Sequence, residues 1–277
     1  MLIAQMSDAH FLPEGWLAYG KLDVAGCLER AVAHLNRLGS DAVLITGDLT
    51  SDGDAEVYAA FAAIVARLEA PYYVLTGNHD DRKLMRAQFS RGDFGADGYL
   101  PADGPLRYAV DRFPVRLVVL DTLVEGKSYG QLGAEQIAWL DERLGEAPAK
   151  PTLVALHHPP FRTGIGHLDW SMLRDADGLA EVIARHSQVE RVVCGYVHRP
   201  IQRRWAGTLV QTAPGIAHQA ELILGVERGG WICEPPAVLL HYWGPETGLV
   251  THVSMIGEYG PTGRFGDQHT RVDQASR

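Results

Sequence analysis

Short apolar runs alternate with amphipathic stretches through the first third of the chain. Residues 2–6 form a compact, mostly apolar run that reads as a strand. Residues 23–38 carry Val24, Leu28, Val32 and Leu35 at helical spacing, the mark of a helix with one apolar face. Residues 42–46 read as a buried strand. Residues 55–68 read as a second helix, with Val57, Phe61, Ile64, Val65 and Leu68 on one side, and 72–75 as a third strand. Strand, helix, strand, helix, strand in this order predicts an α/β layered fold.

The rest of the chain is denser in strands. Residues 82–105 are rich in Gly and Asp and are expected to be irregular. Residues 106–110 and 115–120 read as two strands, 135–144 as a helix with Ile137, Leu140 and Leu144 inward, and 152–156 as a strand. A helix over 179–186 and strands over 189–194 and 209–212 follow, then β-prone runs at 237–243 and 249–255. The polar residues from about 257 onward are expected to be poorly ordered. Short connections between many strands favour a β-sandwich flanked by helices over a purely parallel sheet. No repeat, low-complexity block or linker interrupts the pattern.

Six polar clusters punctuate the chain, and nearly all directly follow an apolar, β-rich run. In chain order these are Asp8-Ala9-His10, Gly47-Asp48, Gly77-Asn78-His79-Asp80, His157-His158 and Gly195-Tyr196-Val197-His198, with His218 later. Each has an ordinary reading. An Asp after a strand is usually a turn or N-cap residue. Asn78 and Asp80 could form a turn capping a helix near Asp81. His157 and His158 could be one buried and one exposed histidine. If the backbone stays extended, Asp8 and His10 share one face, as do Tyr196 and His198. Several such loops in series outweigh the separate ordinary readings and point to a metal-dependent hydrolase site assembled at strand ends.

Composition narrows the chemistry. With 277 residues, 46% hydrophobic and 21% charged, the chain can build a globular core of one large domain, with or without a small appendage. A net charge of −9 and the lack of a long basic run argue against binding nucleic-acid polymers. An acidic protein that handles phosphate needs local cations. Cys27, Cys194 and Cys233 are far apart and are expected to be free, buried thiols. No signal-peptide pattern opens the chain, and no apolar stretch approaches the ~20 residues of a membrane span, so a cytoplasmic location is expected. Neither G-x-S-x-G nor a Walker-type phosphate loop is present.

The order D-x-H, G-D, G-N-H-D, H-H-P, G-x-x-H resembles the calcineurin-like metallophosphoesterases. It is most similar to their bacterial cyclic nucleotide phosphodiesterases and glycerophosphodiesterase relatives. Met6 to Phe11, Gly77 to Asp81, Leu156 to Pro160 and Ala213 to Gln219 carry the resemblance, which covers the chain to about Gln219. It implies a four-layer α/β/β/α sandwich. A catalytic domain over 1–220 would be followed by a C-terminal β extension over 221–277, packed on it as an appendage or cap.

Residue by residue, the resemblance implies that Asp8, His10 and His198 hold one metal, Asn78 and His157 a second, and Asp48 bridges both. His79 would meet the substrate phosphate as charge stabiliser or proton donor. Asn78 and His218 would lie at the substrate, while Asp80 and His158 would orient ligands from behind. Two divalent or mixed-valence transition ions (Fe, Mn, Zn or Co) are implied. Ions ~3.5–4 Å apart would grip a phosphodiester and generate hydroxide near neutral pH.

Tyr196 departs from the family pattern, which reads G-H-x-H. A phenol is a weak ligand with an ordinary pKa of ~10. Three readings follow: a weaker second site held by Asp48, Asn78, His157 and water; a ferric ion with Tyr196 as ligand; or a silenced or engineered variant. The expected activity is hydrolysis of a small phosphodiester, a 3′,5′-cyclic nucleotide or a glycerophosphodiester. The alternatives are a phosphomonoesterase and, on Tyr196 alone, a non-catalytic phosphate-ligand binder. The partner is then a small molecule, not a membrane, and a homo-oligomer is consistent with the resemblance. Residues 161–172, with Arg162, His167, Asp169 and Trp170, and the C-terminal tail are positioned in sequence to cover the pocket.

Overall fold

The computed structural model describes residues 1–90, 99–261 and 263. The first part of the chain alternates β1 (Leu2–Met6), α1 (Val24–Leu38), β2 (Ala42–Thr46), α2 (Ala55–Val65), β3 (Tyr72–Leu75) and α3 (Arg82–Phe89). Next come β4 (Tyr108–Val110), β5 (Arg116–Val119), α4 (Gly133–Gly145), β6 (Thr152–Leu156), the single turn α5 (Gly166–Asp169), α6 (Ala176–Arg185) and β7 (Val189–Cys194). The chain closes with β8 (Gln202–Trp205), β9 (Thr208–Thr212), a short ribbon of β10 (Gln219–Ala220) and β11 (Trp231–Ile232), and the hairpin β12 (Ala237–Gly244) and β13 (Gly248–Met255). No helix among the described residues is long and apolar enough to cross a membrane.

Two sheets form the body. One has the order β13-β12-β1-β2-β3, the other β4-β5-β6-β7-β9-β8. In the first, β1, β2 and β3 run parallel. In the second, β5, β6, β7 and β9 run parallel between antiparallel edges β4 and β8.

The two-residue period of the second sheet divides its side chains. Leu117, Val119, Leu153, Ala155 and Val193 join the core shared with the first sheet and with α1 and α2. Their neighbours Val118, Val154, Val192 and Cys194 pack under α4 and α6. This alternation makes the chain a helix–sheet–sheet–helix sandwich. A polar link spans the two sheets: Gln5 Nε2 donates to the Cys194 carbonyl and to Thr46 Oγ1, each at 3.0 Å. Its Oε1 accepts from His241 Nε2 at 3.1 Å, so the buried amide is satisfied on both ends.

Several features differ from the sequence expectations or go beyond them. The stretch expected to be irregular contains α3, whose N-cap Asp81 accepts from the Lys83 and Leu84 amides. Only Met85 and Phe89 of that helix are buried, too few to print a periodic signal. Edge strand β8 was also hidden, because its QRRW sequence is exposed and charged, as edge strands often are. Cys233 is exposed, whereas Cys27 and Cys194 are buried. The C-terminal β region divides in two: β10–β11 stands over the cleft described below, while β12 pairs antiparallel with β1 and is built into the first sheet. The remainder of the stretch expected to be irregular, and the polar tail expected after 257, lie partly outside the described residues.

Candidate active site

The parallel strands of both sheets deliver their following loops to one edge of the sandwich. Asp8 and His10 follow β1, Asp48 follows β2, Asn78 and His79 follow β3, His157 and His158 follow β6, and Tyr196 and His198 follow β7. Backbone bonds tie these loops together: Asp8 N to Gly47 O at 3.1 Å, His10 N to Asp48 O at 3.0 Å, Gly195 N to His157 O at 3.1 Å. The approach is too close for side chains at two points. A Cβ on Gly47 would collide with His157 Nδ1, and one on Gly77 with the Asp48 carboxylate.

The backbone of these loops is not extended, so the condition for a shared strand face is not met. Asp8 (φ 55°), His10 (43°), Asp48 (49°), Tyr196 (71°) and His198 (51°) all occupy the left-handed region. L-residues adopt it at a cost of about 1–3 kcal/mol each, and such strain concentrates at functional sites. Here left-handed turns, and not the two-residue strand period, bring the side chains together.

The ligand atoms of Asp8, His10 and His198 lie within 4.8 Å of one another, as do those of Asp8, Asp48 and His157, and those of His10, Asp48 and His79. Asp48 Oδ2 stands 3.4 Å from His157 Nε2 and 3.5 Å from His10 Nε2. Asp8 Oδ1 is 3.4 Å from His198 Nε2. Second partners set the imidazole tautomers. His157 Nδ1 donates to the Thr46 carbonyl at 2.8 Å, and His198 Nδ1 to the His218 carbonyl at 3.3 Å, which turns both Nε2 atoms toward the cluster, where a bound cation would displace any proton they carry.

Asp8 Oδ2, Asn78 Oδ1 and His157 Nε2 are buried with no hydrogen-bond partner among the described residues. An orphaned buried acceptor costs about 1–3 kcal/mol. Oxygen and imidazole acceptors converging in this way are the donor set of a transition-metal site, so the residues fit metal ions.

Charge in the cluster is strongly perturbed. Burial pushes the Asp8 carboxyl up to about 7, with His157 pulling the other way. Burial also opposes ionisation of Asp48, but the charge of His157 at 3.4 Å, then that of His10, holds it well below the usual range. Asp48 lifts His157 to about 9 against the effect of burial. Burial lowers His10 well below its ordinary value and His198 to about 4.

Around the cluster, Asp80 accepts from the Gly77 amide (2.8 Å), the Leu49 amide (3.1 Å) and the Tyr58 hydroxyl (2.9 Å), which fixes two ligand loops at once. His158 uses both nitrogens, toward Thr122 Oγ1 at 2.8 Å and the Ser128 carbonyl at 3.1 Å. The His79 amide donates to Asp48 Oδ1 at 3.0 Å, while its part-exposed ring faces solvent and cleft. The Tyr196 amide donates to Asp8 Oδ1 at 3.1 Å, but its hydroxyl donates to the Leu168 carbonyl at 3.4 Å.

A cleft of ≈ 380 Å³ opens over the cluster, lined by His10, Asp48, Asn78, His79, Tyr196, His198 and His218. Of the covering segments, His167, Leu168 and Trp231 reach it, while Arg162, Asp169 and Trp170 line a separate groove. Tyr19 and Ser128 also line the cleft and carry no sequence signal, since both sit in loops without periodicity.

The family model of the calcineurin-like phosphoesterases matches residues 1–200. The chain belongs to the calcineurin-like phosphoesterase family. This phosphoesterase is 36% identical to a probable glycerophosphodiester phosphodiesterase of Arcobacter nitrofigilis, over 99% of the chain and 100% of the relative. It is also 36% identical to a probable cyclic nucleotide phosphodiesterase of Rhodopseudomonas palustris, covering 82% of each. Among solved structures, a dimetal phosphatase from Danio rerio superposes with a TM-score of 0.62 at 14% identity, over 92% of this chain and 99% of that one. That likeness speaks for the fold.

Proposed function

We propose that this phosphoesterase hydrolyses a small phosphodiester, a 3′,5′-cyclic nucleotide or a glycerophosphodiester, in a metal-dependent reaction at this cleft. The observation that carries the reading is the convergence of Asp8, Asp48 and His157, with buried atoms of Asp8, Asn78 and His157 left unpaired and Asn78 lining the same cleft as Asp48. Asp8, His10 and His198 with Asp48 would hold one ion. Asp48, Asn78 and His157 with water would hold a second, less tightly because Tyr196 stands in place of a further imidazole. Fe, Mn, Zn or Co suit such mixed ligands. Bound ions would supply the Lewis acidity that activates water and offsets phosphoryl charge.

The chain's own groups do the rest. His79 lies at the cleft beside Asp48, with its Nδ1 3.7 Å from the Asp52 carboxylate, and its ring would donate to a phosphoryl oxygen or to the departing alkoxide. Asn78 and His218 flank the same space, and Asp80 and His158 hold the loops. The size of the cleft and the net charge of −9 favour a small molecule over a nucleic-acid polymer. Free cysteines suit a cytoplasmic enzyme.

Parallel assays of bis- and mono-p-nitrophenyl phosphate with each metal test the reading. Diester turnover should exceed monoester turnover, require metal, and vanish in Asp48→Ala and Asn78→Ala. Faster monoester turnover would make it a phosphomonoesterase, and full activity in both variants would remove the site.

A further inference from the structure

The cleft has an aromatic wall that metal binding does not explain. Tyr19 and Trp231 come from distant segments, yet their rings stack with centroids 4.7 Å apart and 16° between planes. Both line the cleft. Each is held by its own anchor. Tyr19 sits in a tight turn closed by reciprocal 2.9 Å bonds between Ala18 and Leu22, and Ala18 packs with Val24, Cys27 and Ala217. Trp231 is paired with Ala220 across the β10–β11 ribbon.

The placement is strained as well as anchored. Tyr19 has φ 54°, a conformation that a bulky L-residue resists, and it leaves 57% of its surface exposed. A core contact would bury that ring. Strain combined with exposure is the pattern of a surface kept for a ligand.

The wall also lies in line with the metal-ligand cluster. His218 stands 4.6 Å from His198 between ring centroids, 5.3 Å from Tyr19 and 6.3 Å from Trp231. Its Nε2 is 3.4 Å from the Tyr19 hydroxyl, while its Nδ1 is buried without a partner among the described residues. One row of rings therefore runs from a candidate metal ligand to the wall. An ester group on a phosphorus held over the cluster would extend along this row. The Lys21 ammonium lies 5.9 Å from the Trp231 ring centroid and adds positive charge on this side.

We propose that Tyr19 and Trp231 form a specificity platform that selects phosphodiesters carrying a planar aromatic group, a nucleobase in particular, over those of small aliphatic alcohols. The proposal rests on the phosphodiesterase reading above. Bases of any identity stack on aromatic side chains, whereas a flexible glycerol group gains little from a ring face. His218 is a positioning residue in this scheme, because it orients the Tyr19 ring through its hydroxyl.

The test compares wild type with Trp231→Ala, Tyr19→Ala and Trp231→Phe. Turnover is measured with 3′,5′-cyclic AMP and glycerophosphoethanolamine, and binding of adenosine 5′-monophosphate and glycerol 3-phosphate by calorimetry. Each alanine variant should raise KM for the cyclic nucleotide and Kd for the mononucleotide by roughly 10- to 100-fold, the scale of one lost stack. The glycerol ligands should shift less than about threefold on the same argument, and Trp231→Phe should recover most of the loss. Equal losses for both ligand types would assign the pair a structural role and overturn the proposal, as would no loss for either. If wild type turns over neither ester, the hydrolase reading fails, and the binding contrast still decides the platform.

Discussion

The Tyr196 hydroxyl donates to the Leu168 carbonyl at 3.4 Å, and its ring stands edge-on to His157 with 5.7 Å between centroids. The side chain thus braces α5 where a ligand would be expected, and burial pushes its phenol up to about 12, far from a ready anionic ligand.

Metal binding should reflect this asymmetry. Dialysed protein is expected to keep one ion more firmly than the other by elemental analysis. Tyr196→His should tighten the weaker position roughly tenfold or more, the scale on which a partner of a metal site acts. Tyr196→Phe should leave metal affinity unchanged. Loss of an ion in Tyr196→Phe would make the phenol a ligand after all.

Asp80 gathers the Leu49 and Gly77 amides and the Tyr58 hydroxyl, so it couples the loops that carry Asp48 and Asn78. Asp80→Asn turns one acceptor into a donor against these groups. Stability should fall by about 1–3 kcal/mol, and metal affinity by roughly 10- to 100-fold. Denaturant unfolding and metal titration measure both, and unchanged values in both would remove Asp80 from this role.

His79 can be separated from the metal ligands by its leaving-group dependence. His79→Ala should retain its metal content yet lose kcat by roughly 10²–10⁴-fold on alkyl phosphodiesters, the range of general-acid catalysis. A p-nitrophenolate leaving group needs no proton, so bis-p-nitrophenyl phosphate should suffer much less. An equal loss on both substrates would favour charge stabilisation of the phosphoryl group over proton donation.

Acid should destabilise the fold through the link between the sheets. His241 is fully buried, and burial, then the Arg191 charge, pushes its ring down to about 3. The unfolded chain protonates this ring near its ordinary value of ~6.5. The unfolded state therefore binds the extra proton below that pH. The contribution is intact above ~6.5 and is lost as pH falls toward 3, at up to about 1.4 kcal/mol per pH unit. Replacing it in His241→Gln should flatten the stability profile between pH 4 and 6 by about one proton. An unchanged slope in urea unfolding across that range would show that the ring is not the titrating group.

The sequence by itself determined the order of strands and helices as far as β3, the loops that carry Asp8, Asp48, Asn78, His157 and His198, and the glycines that admit them. These are local properties, written in apolar periodicity and in the small residue that precedes a crowded polar one. Helix α3 and strand β8 were hidden because one buries only two side chains and the other is a charged edge. Only the tertiary structure decided that Asp8, His10, Tyr196 and His198 converge through left-handed turns and not through extended backbone. It also turned the Tyr196 hydroxyl toward Leu168, added β12 to the edge at β1, and stacked Tyr19 on Trp231. Each of these joins residues remote in sequence. Their contacts depend on how two sheets pack and where their loops meet, and no period along the chain records that.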